Sequence, residues 1–270
     1  MDKPARVALI TGVSSGIGKA TAHALAEHGY RVFGTARSSG SSAPAKVERI
    51  VLDVRDAASI EAGVRDVLGQ AGRIDLLVNN AGESLVGSIE ETSVDQAEAP
   101  FEVNFFGAAR TTQAVLPVMR TQRSGRIVFI SSVLGFLPAP FMAFYAASKH
   151  ALEALAESLD HEVRTLGIRS VLVEPSYMRT QLGAHSTVAA SHIEDYAAMR
   201  QRAAAIVRDR VSGGEDPEIV AAAVLEAATS PRPRLRYRVG KDAAQLARLR
   251  RYLPAQLFDG GLRKQFGLHG

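Results

Sequence analysis

Tyr145 and Lys149 stand four residues apart in "YAASK", the spacing that places two side chains on one helix face, one turn from each other. A phenol titrates near ~10 and is a poor proton donor or acceptor at neutral pH unless its surroundings favour the phenolate. A lysine ammonium nearby does so. Ser132 lies thirteen residues before the tyrosine, at the end of the apolar run "GRIVFISS". A hydroxyl there can hydrogen-bond a carbonyl or the alkoxide that forms from it. Asn104, in "EVNFFGA", is an amide inside an otherwise apolar helical stretch. It needs partners, either as a structural bond-maker or as part of a proton relay. Together these groups suit proton transfer at a carbonyl or an alcohol.

Such a reaction needs a hydride carrier, and the chain has a place for one. "TGVSSGIG", residues 11–18, follows the strand-like "RVALIT" and opens a helix-like run. Its glycines, Gly12, Gly16 and Gly18, are spaced differently from GxGxxG but meet the same demands: a tight turn, close approach of backbone to a pyrophosphate, and close helix–strand packing. The phosphates would sit at the positive end of the following helix. Nineteen residues after Gly18, at the end of the strand-like "YRVFGTA", stands Arg37. An acid is expected here if a free ribose 2′-hydroxyl is to be held. A guanidinium instead pairs with a 2′-phosphate through charge-assisted hydrogen bonds, so NADP(H) is the expected cofactor. Ser14, Ser38 and Ser39 are candidate neutral donors beside it.

Strand-like and helix-like stretches alternate along the chain, which points to repeated βα units and a mostly parallel sheet. Strands are expected at 6–11, 30–36, 47–54, 74–82, 125–132, 168–175 and 234–240, seven in all. Helices are expected at 18–29, 57–71, about 94–119, 143–166 and 216–229, the last with Asp216 as N-cap and Pro217 at its first position. The fold class is α/β: a single Rossmann-type, doubly wound domain over 1–270, with helices on both faces of the sheet. Residues 180–213 are the least regular, and we expect a mobile substrate lid there. Residues 241–270 form a C-terminal extension.

In this order and spacing, the glycine turn, Asp53, "NNAG" (79–82), Asn104, Ser132, the Tyr145/Lys149 pair and "EP…T" (174–180) resemble the short-chain dehydrogenase/reductase family over about residues 5–240. The resemblance implies that Tyr145 is the general acid when a ketone is reduced. Lys149 would lower its pKa and hold the nicotinamide ribose, Ser132 would orient the carbonyl, and Asn104 would anchor a water relay to Lys149. Asp53 would contact the adenine and Asn80 would lie beside the adenosine ribose. Ser15, Ile17, Val54, Ala81, Gly82 and Pro175 complete the cofactor set, with Thr180 placed to meet the carboxamide. One departure stands out: the family's Pro-Gly after the sixth strand is Pro175-Ser176 here, and serine has less backbone freedom. "NFFGAARTTQAVLPVMR" and "ISSVLGF…YAASKHALEALAESL" are similar to 17β-hydroxysteroid and retinol dehydrogenase-like members. That likeness implies a hydrophobic ketone, aldehyde or alcohol, with Val133, Leu134, Phe136, Phe141 and Phe144 as an apolar wall. It also implies a homodimer, or a tetramer, formed through the helices at 94–119 and 143–166.

Composition bounds the alternatives. The absence of cysteine excludes disulfides, thiol nucleophiles and thiolate metal sites, and the seven histidines show no metal spacing. The chain opens without a signal-peptide pattern, so a cytoplasmic protein is expected. The uncharged stretch 127–148 is long enough to span a bilayer but carries serines, a glycine and two prolines, so a strand, a loop and a helix start are expected instead. Residues 231–270 carry ten Lys or Arg against two Asp. Arg232, Arg234, Arg236, Arg238, Arg248, Arg250 and Arg251 are read as a solvated surface, or as a dock for an acidic carrier protein or anionic lipid. No motif accompanies the charge to suggest nucleic acid. Two rival functions follow: a 3-oxoacyl (carrier protein) reductase, and a non-catalytic NADP-binding regulator.

Overall fold

The apolar strand runs have no polar alternation, and a strand of that kind is stable only with both faces covered. The computed structural model, which describes residues 5–37, 44–180 and 187–268, meets that demand. Seven strands form one sheet in which every pairing is parallel, in the order β3 (Val47–Val51), β2 (Arg31–Ala36), β1 (Val7–Ile10), β4 (Leu76–Asn79), β6 (Gly125–Ile130), β7 (Ile168–Pro175) and β9 (Arg236–Val239). Two two-residue strands, β5 (Leu85–Val86) and β8 (Thr187–Val188), pair apart from it.

Side chains alternate between the faces. Val7, Leu9, Ile127, Phe129 and Leu172 pack on one side against α2 (Ala57–Ala71), α4 (Ala108–Gln122) and α5 (Ala143–Val163). Ala8, Ile10, Val128, Val171 and Val173 pack on the other against α1 (Gly16–Glu27) and α7 (Glu218–Thr229). The doubly wound α/β expectation is met. Strand order reverses between β1 and β4, so the chain leaves the two strand ends in opposite directions and opens a crevice at their carboxyl edge.

Local details depart from the sequence reading for identifiable reasons. The helix expected over 94–119 is three pieces: α3 (Val94–Phe101), a π-helical turn over Glu102–Gly107, and α4. Asn104 holds the wide turn, its side chain exchanging two hydrogen bonds with the Glu83 backbone. Within the expected irregular lid, residues 197–212 form a regular helix, α6 (Ala197–Ser212), as its Ala/Arg composition favours. The extension also folds, as α8 (Ala243–Tyr252) and α9 (Ala255–Gln265). α7 begins at Glu218 with Pro217 at its N-cap, one residue later than expected, and Asp216 accepts the Glu218 N–H at 3.0 Å. The apolar stretch 127–148 divides into β6, a short 3-10 turn and the start of α5, and among the described residues no helix is long and apolar enough to cross a membrane.

The arginines at and before β9 are exposed, as expected, except Arg236, which is half-buried, and three of them are ion-paired. Arg236 is engaged by Glu153, Glu157 and Glu174, Arg238 by Glu174, and Arg234 by Glu226. Glu174 is wholly buried, and the arginines that neutralise it come from the neighbouring edge strand.

Candidate active site

A cleft of about 680 Å³ opens at the carboxyl ends of the strands, and the order reversal lies at its centre. The glycine turn forms its floor. Gly12 and Gly16 have positive φ, +73° and +55°, which only glycine adopts without strain. Gly18 is pressed against the turn itself: a Cβ there would lie 2.1 Å from the Gly12 carbonyl oxygen and 2.4 Å from Asn80 Nδ2. The third glycine thus keeps the helix start close to the turn, as the sequence suggested.

Asn80 ties that floor to the next strand. Its Nδ2 donates to the Thr11 and Gly12 carbonyls at 2.8 Å, and the Thr11 hydroxyl accepts the N–H groups of Asn80 and Ala81. Thr11 is therefore a site-building residue that sequence reasoning missed. Its position as first residue of the turn was the available signal.

Arg37 stands exposed at the end of β2, on the cleft rim with Ser14, Ser15 and Asp53. Ser38 and Ser39 lie outside the described residues. Arg55 shares the rim and grips Asp53, Nη2 to Oδ2 at 2.7 Å. That pairing, with the Asp53 carboxylate also accepting the Arg55 N–H, holds Asp53 below its ordinary pKa, and the Arg37 charge adds to the effect. Arg55 is a second cation beside Arg37 that the sequence did not single out. Val54 is buried under the π turn, where Gly107 leaves room for it.

Ser132, Tyr145 and Lys149 meet on the opposite wall with Ile130 and Met142. Ser132 follows β6, and its hydroxyl accepts the Leu134 N–H at 3.2 Å. Lys149 is buried and donates from Nζ to the Ile130 carbonyl at 2.9 Å. Burial pushes its pKa down to about 8, against the pull of the Glu153 carboxylate. The phenol was expected to be lowered by the lysine. It is instead pushed up to about 12, because burial dominates and only the Ser132 hydroxyl opposes it. Lys149 Nζ is 5.9 Å from the ring centre and is engaged by a carbonyl.

Asn104 is buried just behind this wall and does not line the cleft. Besides Glu83, its Nδ2 donates to the Ser148 hydroxyl at 2.9 Å. Gly82 separates it from the lysine: a Cβ on Gly82 would lie 3.3 Å from Asn104 Oδ1 and 4.0 Å from Lys149 Nζ. Behind Lys149 on the same helix face lies Glu153, which accepts from the Ser131 hydroxyl at 2.8 Å. The spacing 145, 149, 153 was legible in the sequence, but nothing there revealed that the third member would be buried.

The far rim is set by β7 and α6. Pro175 and Thr180 line it with Val207 and Val211. Ser176 stands where the family has glycine, and its backbone is not left-handed. A Cβ on Gly240 would lie 2.0 Å from Ser176 Oγ, so the facing strand end leaves room for the hydroxyl. The apolar wall differs from the expected one. Val133 and Leu134 face the cleft, joined by Met142, Tyr177, Met178, Val207 and Val211. Phe136, Phe141 and Phe144 do not line it. Phe141 meets Tyr196 edge to face, and Phe144 is turned by one helical step from Tyr145.

Sequence and structural comparisons agree with this geometry. A family profile described as short chain dehydrogenase matches residues 6–190. A 3-ketodihydrosphingosine reductase from Bacteroides thetaiotaomicron is 34% identical over 261 residues, 96% of this chain and 97% of that protein. The crystal structure of a short-chain dehydrogenase from Streptomyces avermitilis superposes with a TM-score of 0.81 at 37% identity, covering 97% of this chain and 94% of that one. A short chain dehydrogenase/reductase from Burkholderia phymatum, solved in complex with NAD, gives 0.76 at 27% identity, covering 87% and 90%. The chain belongs to the short-chain dehydrogenase/reductase family and is an oxidoreductase acting on CH–OH groups.

Proposed function

We propose that this enzyme uses NADP(H) to interconvert a hydrophobic ketone and its secondary alcohol, working as a reductase near neutral pH. The observation that carries the cofactor reading is Arg37, an exposed guanidinium on the cleft rim beside the glycine turn, with Arg55 next to it on the rim but paired to Asp53. The donor set fits a dinucleotide: a turn that admits no Cβ at Gly18, a helix N-terminus behind it, and cations where a 2′-phosphate would be held. Ser14, Ser15, Gly16 and Ile17 would hold the pyrophosphate side, with Asn80, Ala81, Gly82, Pro175 and Thr180 around the remainder. A bound nicotinamide supplies or accepts the hydride.

The chain's own residues handle the proton. Tyr145 is protonated at neutral pH and donates to the oxygen of a ketone in reduction, taking the proton back in the reverse reaction. The Ser132 hydroxyl, on the same wall, orients that oxygen and opposes the rise in the phenol's pKa. Lys149 is held by the Ile130 carbonyl at the position from which a ribose would be bound. Asn104 fixes the backbone at Glu83, and through Ser148 the helix that carries Tyr145 and Lys149.

An apolar substrate is supported by Val133, Leu134, Met142, Met178, Val207 and Val211 around the tyrosine. The name of the Bacteroides relative, 3-ketodihydrosphingosine reductase, points the same way. We therefore place long-chain ketones ahead of steroids and retinoids. The carrier-protein reading weakens because three of the arginines offered for docking are paired within the chain. A homodimer remains our expectation for the assembly.

The cofactor assignment is tested by Arg37→Asp. The Michaelis constant for NADPH should rise by about 10- to 100-fold, the range of a lost charged hydrogen bond plus repulsion, while NADH changes little. Equal losses on both cofactors would refute it. A panel of long-chain ketones, steroids, aldehydes and oxoacyl esters, followed by NADPH absorbance, tests the substrate class.

A further inference from the structure

The extension α8–α9 has two faces with different fates. Its inner face joins the apolar cluster that walls the site: Ala243 and Phe266 are buried with Val133, Leu134, Met142 and Tyr145, and Leu246, Phe258 and Leu262 pack against them. On the outer side, around the turn between the two helices, large apolar groups stand in solvent. Tyr252 is 75% exposed, Leu257 63%, and Leu249 and Leu253 37% each. Leu249, Tyr252 and Leu253 are three and four residues apart, so they form one continuous stripe. Exposure this high marks a protruding tip rather than a groove.

Cations lie beside the tip on α8 and farther along α9. Arg248, Arg250, Arg251, Arg263 and Lys264 lie on the two helices against a single acid, Asp259. Among the described residues none of the five forms an ion pair, whereas Arg234, Arg236 and Arg238 all do. The guanidinium of Arg250 lies over the Phe258 ring and that of Arg251 over Tyr252, so both charges are carried close to the apolar groups.

A protruding apolar tip flanked by uncompensated arginines has the chemistry of an element that lies in a membrane interface. A second copy would bring like charges together, and a folded acidic protein would meet a convex knob rather than a complementary groove. An anionic bilayer accepts both features: acyl chains receive the tyrosine and leucines, and the headgroups receive the cations.

We propose that the α8–α9 turn is a reversible docking surface for anionic lipid membranes. It holds the enzyme on the bilayer with the inner face of the same helices against the active-site wall. The docking itself does not depend on which substrate is reduced.

The test is co-sedimentation of the purified enzyme with phosphatidylcholine vesicles, with and without about one-third phosphatidylglycerol. The expected result is binding to the anionic vesicles, weak binding to the neutral ones, and weakening as salt is added. Replacing Arg248→Gln and Arg251→Gln together should lower the partition coefficient roughly thirty-fold, the value of two cations at an anionic surface. The pair Tyr252→Ser and Leu257→Ser should lower it as well. Both variants should reduce a small water-soluble ketone at the wild-type rate, which shows that they are folded.

Failure of the wild type to sediment with anionic vesicles would overturn the proposal, as would binding that ignores the Tyr252→Ser/Leu257→Ser change or that ignores salt. A fall in oligomer mass on that change, measured without lipid, would show that the tip covers a second copy instead. Binding of acyl carrier protein in place of vesicles would assign it to a protein partner.

Discussion

At the scale of single residues, the site holds two buried ionisable groups whose pKa values have moved apart, Tyr145 up to about 12 and Lys149 down to about 8. Each shift is a burial cost, and each has a consequence that can be read. A lysine lowered in the folded state binds fewer protons than its unfolded counterpart between about 8 and 10.5. The fold therefore gains stability as pH rises through that window, and below it carries the full penalty. Lys149→Met should raise stability at pH 7, by about 1–3 kcal/mol after loss of the bond to Ile130, while turnover collapses. Thermal melting and NADPH turnover on one preparation check it, and a variant both inactive and less stable would count against it. A tyrosine raised to about 12 predicts that alcohol oxidation accelerates with pH through the alkaline range, while ketone reduction needs no deprotonation and does not. The residue types were legible in the sequence because the chemistry demands them at fixed spacing. The direction of the tyrosine's shift was not, since it depends on burial by Val133, Leu134 and Met142, which spacing alone does not reveal.

At the scale of elements, the parallel strands were readable because a strand buried on both faces must be apolar throughout, as "RVALIT" and "IRSVLVEP" are. The break in the helix over 94–122 was not readable, because Asn104 stabilises a π turn only through partners on the distant Glu83 and Ser148. The same limit applies to β9. Its alternating arginines read as a solvated edge, and nothing in the sequence shows that Glu153 and Glu174, both buried, are brought beside Arg236 by α5 and β7. Removing one partner from a buried pair leaves an uncompensated charge. Arg236→Met should therefore destabilise the protein by about 3 kcal/mol in urea unfolding. Glu174 is already raised by burial and by Glu153. In the variant its folded-state pKa rises further, so the stability deficit should grow as pH climbs through that value, and a pH-independent deficit would contradict this reading.

At the scale of the whole molecule, the order reversal between β1 and β4 gathers pieces of chain far apart in sequence along one edge. The glycine turn and Arg37 stand on one side, and Ser132, Tyr145 and Lys149 on the other. Val207 and Val211 of α6 line the cleft, and the segment leading into that helix is tied down by Glu91, a buried carboxylate that pairs with Arg200 and accepts the Ile193 N–H at 2.8 Å. This tie was invisible in the sequence, which showed only an irregular polar stretch. The central claim is that this assembly reduces ketones with Tyr145 as the proton donor. The most direct measurement is single-turnover oxidation of bound NADPH by a long-chain ketone, comparing wild type with Tyr145→Phe at pH 7, alongside NADPH affinity. The account predicts an unchanged dissociation constant and a rate lower by about 10²- to 10⁴-fold in the variant. Turnover at the wild-type rate without the phenolic hydroxyl would contradict it.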